Sequence, residues 1–196
     1  MNPIILYGHR AGPNPRKVAM PAFERINPNG RVPAIEDSNT GITLWESGAI
    51  IEYLVERYDP SLTISFPPGS AESHHARQWL YFQSSGQGRY FGQAVWFRVH
   101  HPERIPSAVN RYVNEIRRVV GVLDRALEGR QYLVGGRLSY ADISFVTWME
   151  VVPWASDNGI ELEREFPNVY AWLTRVKLRP GVRKILDLAI DLPKRK

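Results

Sequence analysis

Apolar residues in the first sixty positions fall into short runs followed by one stretch of helical spacing. Residues 4–7 form an apolar run that predicts a buried strand. Residues 32–37 and 41–44 predict two more strands, because a polar turn of Asp, Ser, Asn and Thr joins them. From residue 47 to residue 58 the apolar positions follow helical spacing. This part of the chain therefore predicts a small α/β domain.

The rest of the chain is helical in its pattern. One long helix is predicted from residue 72 to about residue 96, where three glycines loosen or bend it. A second is predicted over residues 107–127. A third starts at Ser139, an N-cap residue with Asp142 completing a variant capping box. Two short helices open at Pro167 and Pro180. The predicted organisation is an α/β domain over 1–60, a Pro- and Gly-containing linker over 61–70 and an all-helical domain over 71–196.

Composition narrows the class of protein. The 196 residues have the make-up of an ordinary globular chain. No apolar run approaches the roughly 20 residues that span a bilayer, and the start lacks a signal-peptide pattern, so we expect a cytoplasmic protein with no membrane partner. The net charge of +5 comes from basic residues interleaved with acids, so we expect a solvated surface and no nucleic-acid partner. The chain has no Cys, so thiol chemistry requires a thiol supplied by a ligand.

A proline stands at the head of the second predicted strand, within Asn-Pro-Asn-Gly-Arg-Val-Pro-Ala-Ile. Pro33 cannot donate to the ladder, so it must lie at an edge or a turn. If the Val32–Pro33 bond is cis, Val32 turns its backbone N–H and C=O out of the sheet, where they can pair with an extended peptide ligand. A plain loop entering a strand is the alternative.

A strand ends and a helix begins within Leu-Trp-Glu-Ser-Gly-Ala-Ile-Ile, residues 44–51. Free N–H groups and the positive end of the helix dipole at Ser47 and Gly48 suit a carboxylate, while Glu46 can accept an ammonium. The corner therefore suits the zwitterionic end of an amino acid. An ordinary Ser N-cap is the alternative. One hairpin joins this corner to Val32, so both features can face the same ligand.

The run NPNGRVPAIED…TGITLWESGAIIEYLVERYD closely resembles the glutathione-site half of glutathione transferases. GHRAGPNPRKV near the start fits the fungal branch related to the yeast nitrogen-catabolite regulator, as do FQSSGQGRYFGQ, YLVGGRLSYADISFV and FPNVYAWLTRVKLRPGV in the helical half. The resemblance covers nearly the whole chain. It implies a glutathione-transferase fold, with a thioredoxin-like α/β domain followed by an all-α domain, and a homodimer. Many relatives in this branch serve secondary metabolism.

By this resemblance, glutathione would be the cosubstrate. Val32 and Pro33 would hold its cysteinyl backbone, and Glu46 and Ser47 would hold its γ-glutamyl end.

The same resemblance places the residue that activates the thiol just after the first strand. Ala11 and Gly12 stand where a Ser or Thr is usual. Asn14 matches an Asn of the related fungal branch, and its amide can donate to a thiolate. Tyr7 is the alternative, because other transferase classes use a Tyr at the end of strand one. We prefer Asn14.

Aromatic residues follow the glycine-rich bend of the long helix. Tyr90, Phe91, Trp96 and Phe97 can line a pocket for an apolar electrophilic acceptor, and core aromatics of a bent helix are an equally good interpretation. The five histidines include two adjacent pairs whose members point in different directions on a helix, so we expect no metal site.

One stretch departs from the family pattern. A thioredoxin-like domain needs a crossover helix and a second parallel strand before the strand that Pro33 heads, which takes a dozen or more residues. Only seven residues separate Ala19 from Asn27. A shortened domain is expected, unless residues are missing from the sequence as given. The wall that usually grips the glycine carboxylate of glutathione would be absent or mobile.

Three functions remain open on this basis. The first is a glutathione transferase that adds the thiol to an electrophilic small molecule. The second is a glutathione-dependent cis–trans isomerase that adds the thiolate reversibly to a conjugated alkene. The third is a non-catalytic glutathione-binding or regulatory protein on the same scaffold.

Overall fold

The computed structural model describes residues 1–8 and 21–187. These residues belong to two compact units, which meet in the sequence between Ser61 and Leu62. The first unit contains all the strands of the described chain, and the second is helical. This arrangement is the α/β half and all-α half expected from the sequence.

The first unit contains a three-stranded sheet. Strand β1 covers Ile5–Tyr7, β2 covers Ala34–Asp37 and β3 covers Ile42–Trp45. Their order is β1-β2-β3, and both pairings are antiparallel. All three predicted strands are present to within two residues at each end. The prediction that the first is buried is wrong for the described residues, because Ile5 and Leu6 are 53% and 65% exposed. The sheet is the shortened form of the thioredoxin-like domain, with these three strands in the described residues.

Two helices accompany the sheet in sequence. Helix α1 is a single turn, Pro21–Glu24, and α2 runs over Ser47–Tyr58, as the apolar spacing predicted. Helix α2 ends at Tyr58, and its C-cap Asp59 directly precedes Pro60, which cannot continue a helix.

The second unit begins with one long, irregular helical stretch. Helix α3 covers Ala71–Phe82, a π-helical segment that we call π1 covers Gln83–Gly88, α4 covers Arg89–Val95 and a second π-helical segment, π2, covers Trp96–His100. The predicted loosening at the glycines is therefore found as π-helix. The indole of Trp148 packs against Gly88, where a Cβ would lie 3.4 Å from Nε1.

Six further helices complete the second unit in the described residues. They are α5 (Pro106–Ala126), α6 (Tyr140–Met149), α7 (Val152–Ala155), α8 (Leu162–Glu165), α9 (Pro167–Lys177) and α10 (Pro180–Leu186). The sequence predicted α5, α6, α9 and α10. It missed α1, α7 and α8, each of which has only four residues and too few positions to show a helical period.

The core of the second unit is built on α3, α4, α5, α6 and α9. Trp172, Phe91 and Phe145 are its largest fully buried side chains. The predicted capping box of α6 is present, and Asp142 Oδ2 accepts from both the backbone N and the hydroxyl of Ser139 at 2.9 Å. None of the helices in the described residues is long and apolar enough to cross a membrane.

Candidate functional site

Three segments of the chain leave the sheet at the same end. Tyr7, Ala34 and Trp45 form one row across the three strands, since Tyr7 pairs with Ala34 and Ala34 pairs with Trp45. Paired Cα atoms in antiparallel strands lie about 5 Å apart. The residues just beyond this row are Gly8, Pro33 and Glu46, so the two predicted ligand-binding corners are neighbours at one sheet edge. The expectation that they can face one ligand agrees with this register.

The Val32–Pro33 peptide bond is cis, and both residues are half-buried. They precede Ala34, the first residue of β2, so they lie outside the paired part of the strand. Pro33 therefore takes the turn position that its missing N–H requires.

A turn built on Asn27 delivers Val32 to the sheet. Asn27 is 2% exposed, its side-chain oxygen accepts from the Asn29 N–H at 2.9 Å, and its amide donates to the Arg31 carbonyl. Gly30 has a φ of 64°, in the left-handed region that a glycine adopts at little cost. The Asn-Pro-Asn-Gly motif thus has a defined structural role. The sequence analysis included the motif but did not assign this role to Asn27.

The corner between β3 and α2 carries backbone strain. Glu46 has a φ of 73° and a ψ of 117°, a conformation that costs a non-glycine residue of the order of 1–3 kcal/mol. It occupies the N-cap position, although its side chain caps nothing, and its carbonyl accepts from the Ile50 N–H at 2.9 Å. Strained residues of this kind cluster at ligand sites.

Ser47 is the first residue of α2 and is not its N-cap. The alternative interpretation, an ordinary Ser N-cap, is therefore wrong. In the part of the chain that the structure describes, the side chains of Glu46 and Ser47 have no hydrogen-bond or ion-pair partner. The first turn of α2 thus presents a hydroxyl, a carboxylate and helix N-terminal N–H groups, of which Gly48 contributes one.

A buried carboxylate joins the β2–β3 hairpin to α2. Asp37 is 1% exposed and accepts from Tyr53 OH at 2.5 Å, from Tyr58 OH, and from the backbone N and side-chain amide of Asn39 at 2.9 Å. Burial alone would raise its pKa, but these hydrogen bonds outweigh burial and hold the pKa of Asp37 well below its usual range. The same bonds raise the pKa of Tyr58 to about 12.

This cluster fixes α2 against the hairpin, and therefore fixes Ser47 at the sheet edge where Pro33 also lies. Asp37, Tyr53 and Tyr58 were not among the residues predicted to form the site. A polar hairpin turn followed by two tyrosines on one helix was the available signal, but no local pattern states that a turn Asp and a helix Tyr meet.

Tyr7 is the alternative candidate for thiol activation, and its hydroxyl already donates a hydrogen bond to another side chain. It donates to Glu36 Oε2 at 2.6 Å, across the β1–β2 pair, and its ring contacts Phe23 with centroids 5.7 Å apart. The hydrogen bond to Glu36, followed by burial, raises the pKa of Tyr7. Its geometry is that of a strand-to-strand tether. Asn14, the preferred candidate, lies outside the described residues.

The four aromatic residues proposed to line an acceptor pocket are not grouped together. Phe91 is completely buried and meets Trp148 edge-on at 6.4 Å, so it is a core residue, as the alternative interpretation held. Trp96 is 41% exposed and pairs with His100.

Tyr90 and Phe97 have a neighbour in common. Phe97 stacks on Tyr112 with centroids 5.4 Å apart, and Tyr112 lines the same cleft as Tyr90. Within the described residues, no group of three or more His, Asp or Glu side chains can hold a metal ion.

Family models match both units. The model of the glutathione S-transferase N-terminal domain matches residues 11–56, and that of the glutathione S-transferase C-terminal domain matches residues 90–180.

Individual relatives match nearly the whole chain. A glutathione S-transferase-like protein of Aspergillus fumigatus, tpcF, is 45% identical over 94% of this chain and 95% of its own length. That alignment has 215 positions, more than the 196 residues of the chain, so part of it lies opposite gaps here. This agrees with a shortened chain.

Solved structures of fungal proteins share the fold. The glutathione transferase URE2P8 of Phanerochaete chrysosporium, whose crystal contained oxidised glutathione, is 44% identical over 86% of this chain and 76% of its own, with a TM-score of 0.83. Ure2p5 of the same organism, cocrystallised with 1-(S-glutathionyl)-2,4-dinitrobenzene, is 38% identical over 94% and 93% of the two chains, with a TM-score of 0.84.

Proposed function

We propose, from the premise that this chain belongs to the glutathione S-transferase family, that it binds glutathione and activates its thiol for addition to an electrophilic small molecule. The observation that carries the proposal is the strained Glu46 beside the first turn of α2, at the same end of the sheet as Val32 and Pro33. The Phanerochaete relatives crystallised with oxidised glutathione and with a glutathione conjugate support it.

The γ-glutamyl end of glutathione fits the corner at α2. Its α-carboxylate would accept from the Ser47 hydroxyl and the N–H of Gly48, where the helix dipole favours negative charge. Its ammonium would pair with the Glu46 carboxylate, which is exposed and has no partner in the described residues. The corner thus offers donors for the carboxylate of the zwitterion and an acceptor for its ammonium group.

The cysteinyl part fits the strand end at Pro33. Val32 precedes the paired part of β2, so its backbone N–H and C=O would bind the extended peptide as an added strand does. In this proposal the ligand thiol lies at the sheet edge where β1 ends, and the family resemblance assigns its activation to Asn14.

Activation requires a modest stabilisation of the thiolate. The thiol of free Cys has a pKa of about 8.5, so only a few per cent is ionised at neutral pH. Lowering the pKa by about two units requires roughly 2.7 kcal/mol in favour of the thiolate. One or two donors aimed at the sulfur can supply this, and we propose that the Asn14 amide is one of them.

The chemical step is attack by the thiolate sulfur on an electrophilic carbon of the acceptor. A new C–S bond forms, and either a leaving group departs with its electron pair or the resulting carbanion takes up a proton. We propose an apolar acceptor, and the resemblance to transferases of fungal secondary metabolism makes a pathway intermediate the expected source. Of the proposed wall residues, Tyr90, Trp96 and Phe97 remain candidates for contact with it.

Calorimetric titration with glutathione tests the binding site. Ser47→Ala removes one hydrogen bond to a charged group and should weaken binding by about 10- to 100-fold. Ser61→Ala is the matched control, because Ser61 is exposed at the end of the same unit. Equal affinity of Ser47→Ala and the wild type would remove Ser47 from the site.

Product analysis distinguishes a glutathione transferase from a glutathione-dependent isomerase. A conjugate that has gained the mass of glutathione identifies a transferase, whereas an isomer of unchanged mass identifies a cis–trans isomerase. Absence of glutathione binding at millimolar concentration would exclude both enzymes and leave the regulatory function.

We further propose a homodimer in the cytoplasm, as the family resemblance implies. Sedimentation analysis would test the oligomeric state, and microscopy of the tagged protein would test its location.

A further inference from the structure

Asn27 uses both its backbone and its side chain to hold the loop in front of β2. Its backbone N–H donates to the Phe23 carbonyl at 2.9 Å, and its carbonyl accepts from the Gly30 N–H at 2.9 Å. Its side-chain oxygen accepts from the Asn29 N–H at 2.9 Å, and its side-chain amide donates to the Arg31 carbonyl. Because one side-chain contact requires an acceptor and the other a donor, these two contacts fix which way the amide faces.

The four hydrogen bonds are buried and anchored to the sheet. Asn27 is 2% exposed, so little water reaches them. The ring of Phe23, which accepts the backbone bond, lies against Tyr7 of β1 with centroids 5.7 Å apart. Asn27 is therefore tied to the end of one strand while it holds the segment that leads into the next.

The bond to the Arg31 carbonyl determines the direction of a neighbouring group. The Arg31 carbonyl and the Val32 N–H belong to the same peptide unit, which is planar and trans. In a trans peptide unit the C=O and N–H bonds point in opposite directions. Since Asn27 holds the carbonyl, the Val32 N–H must point away from Asn27.

The Val32 N–H is available to a ligand. Val32 lies outside the paired part of β2, and in the stretches of chain that the structure describes its N–H donates to no other group. The residue is half-buried. A backbone donor in such a place needs a partner, and one whose direction is already fixed loses little freedom when a ligand binds.

We infer that Asn27 is a positioning residue for glutathione. By holding the Arg31 carbonyl, it aims the Val32 N–H at the cysteinyl carbonyl of the ligand. The inference rests on the proposed function, which places the cysteinyl backbone at Val32. Because the sulfur belongs to the same cysteinyl residue, this contact also determines where the thiol lies.

Asn27→Asp separates the two side-chain contacts. The introduced carboxylate keeps an oxygen for the Asn29 N–H but has no N–H for the Arg31 carbonyl, whose oxygen it repels. The peptide unit should therefore rotate, and the glutathione affinity measured by calorimetric titration should fall by about tenfold. Asn29→Asp is the matched control, since it makes the same change at an exposed side chain in the same turn. Its affinity should stay close to that of the wild type.

The amide resonances of Val32 and Gly48, followed by NMR spectroscopy during the titration, distinguish positioning from a general loss of structure. In the wild type, glutathione should shift the Val32 resonance at the cysteinyl contact and the Gly48 resonance at the γ-glutamyl corner. In Asn27→Asp at saturating glutathione, the Gly48 shift should persist and the Val32 shift should shrink.

Equal glutathione affinity of Asn27→Asp and the wild type would overturn the inference, as would an equal loss of affinity in Asn29→Asp. Loss of both shifts in Asn27→Asp would overturn it too, because that is the result of a purely structural role. A wild type in which Gly48 responds and Val32 does not would overturn it and leave glutathione binding intact. A wild type that shows neither shift would instead overturn the proposed function, and the inference with it.

Discussion

Each unit of the protein contains a buried aspartate that accepts several hydrogen bonds. The pKa values of these two aspartates are shifted in opposite directions. Asp37 in the first unit accepts from two tyrosines and from Asn39, and its pKa is held well below the usual range. Burial raises the pKa of Asp142 in the second unit, and its hydrogen bonds only partly offset that rise. The number of donors is similar, so the surroundings of the carboxylate decide the direction.

Those surroundings reflect how each unit is held together. Asp142 lies in a large apolar core, where Trp172 Nε1 and Leu133 N donate to it at 2.9 Å. Asp37 lies at a hairpin, its two tyrosine partners on α2 are half-buried, and among residues 1–8 and 23–61 the buried apolar side chains are Ala34, Ile35 and Ile50. The described part of the helical unit is therefore stabilised mainly by apolar burial, and the described part of the first unit depends more on the polar cluster around Asp37.

The largest expected effect is at Asp142. Asp142→Ala would leave the N–H of Leu133 and the indole of Trp172 buried without partners, so the free energy of unfolding should fall by about 3 kcal/mol or more. Urea denaturation measures it. Asp187→Ala, the same change at an exposed position, should have little effect. A loss below about 1 kcal/mol at Asp142 would show that these donors find other partners.

A smaller and more local effect is expected at Asp37. Asp37→Asn weakens the bonds from Tyr53 and Tyr58, so amide exchange should accelerate in the hairpin and in α2 and stay unchanged in the helical unit. Glutathione affinity should fall as well, because Ser47 loses its fixed position. Hydrogen-exchange mass spectrometry with a parallel calorimetric titration measures both. Uniform acceleration across both units would contradict a local role.

The pH dependence of the two aspartates should differ in sign. The folded-state pKa of Asp37 lies below the unfolded value of about 3.9, so its stabilising contribution is complete above that value and is lost as the pH falls below about 4. The folded-state pKa of Asp142 is raised, so its contribution is present in acid and declines as the pH rises through that pKa.

Protection factors measured on either side of pH 4 should therefore drop in β2, β3 and α2 before they drop in α6. In Asp37→Asn the early drop should disappear. An early drop that persists in this variant would assign the acid sensitivity to another group.

The smallest effect is expected at Tyr7. Tyr7→Phe removes one bond to Glu36 and should leave the rate of conjugation nearly unchanged, whereas Asn14→Ala should lower turnover more than glutathione binding. Steady-state kinetics of both variants at saturating glutathione compares them. A large loss in Tyr7→Phe with none in Asn14→Ala would make Tyr7 the activating residue.

Much of this fold is readable from local sequence. The strands, α2 and α5 follow clear apolar patterns, Ser139 with Asp142 marks the start of α6, and Pro167 and Pro180 mark the starts of α9 and α10. The proximity of Pro33 and Ser47 could also be predicted from the sequence, because one hairpin links them.

Other features depend on contacts between distant positions. The strained φ of Glu46 follows from how β3 enters α2, and no residue preference signals it, since the left-handed region favours glycine. The Asp37 cluster requires residues 16 and 21 positions apart to meet. The hydrogen bond from Tyr7 to Glu36 follows from the strand register, which the sequence of a short β1 does not specify on its own.

The central claim, activation of a bound thiol, is tested most directly by the pKa of glutathione in the complex. Ultraviolet absorbance of the thiolate, followed against pH with the protein saturated, measures it. We predict a pKa about two units below the 8.5 of a free Cys thiol, and a smaller shift in Asn14→Ala. A bound thiol that titrates at the free value would contradict activation by this chain.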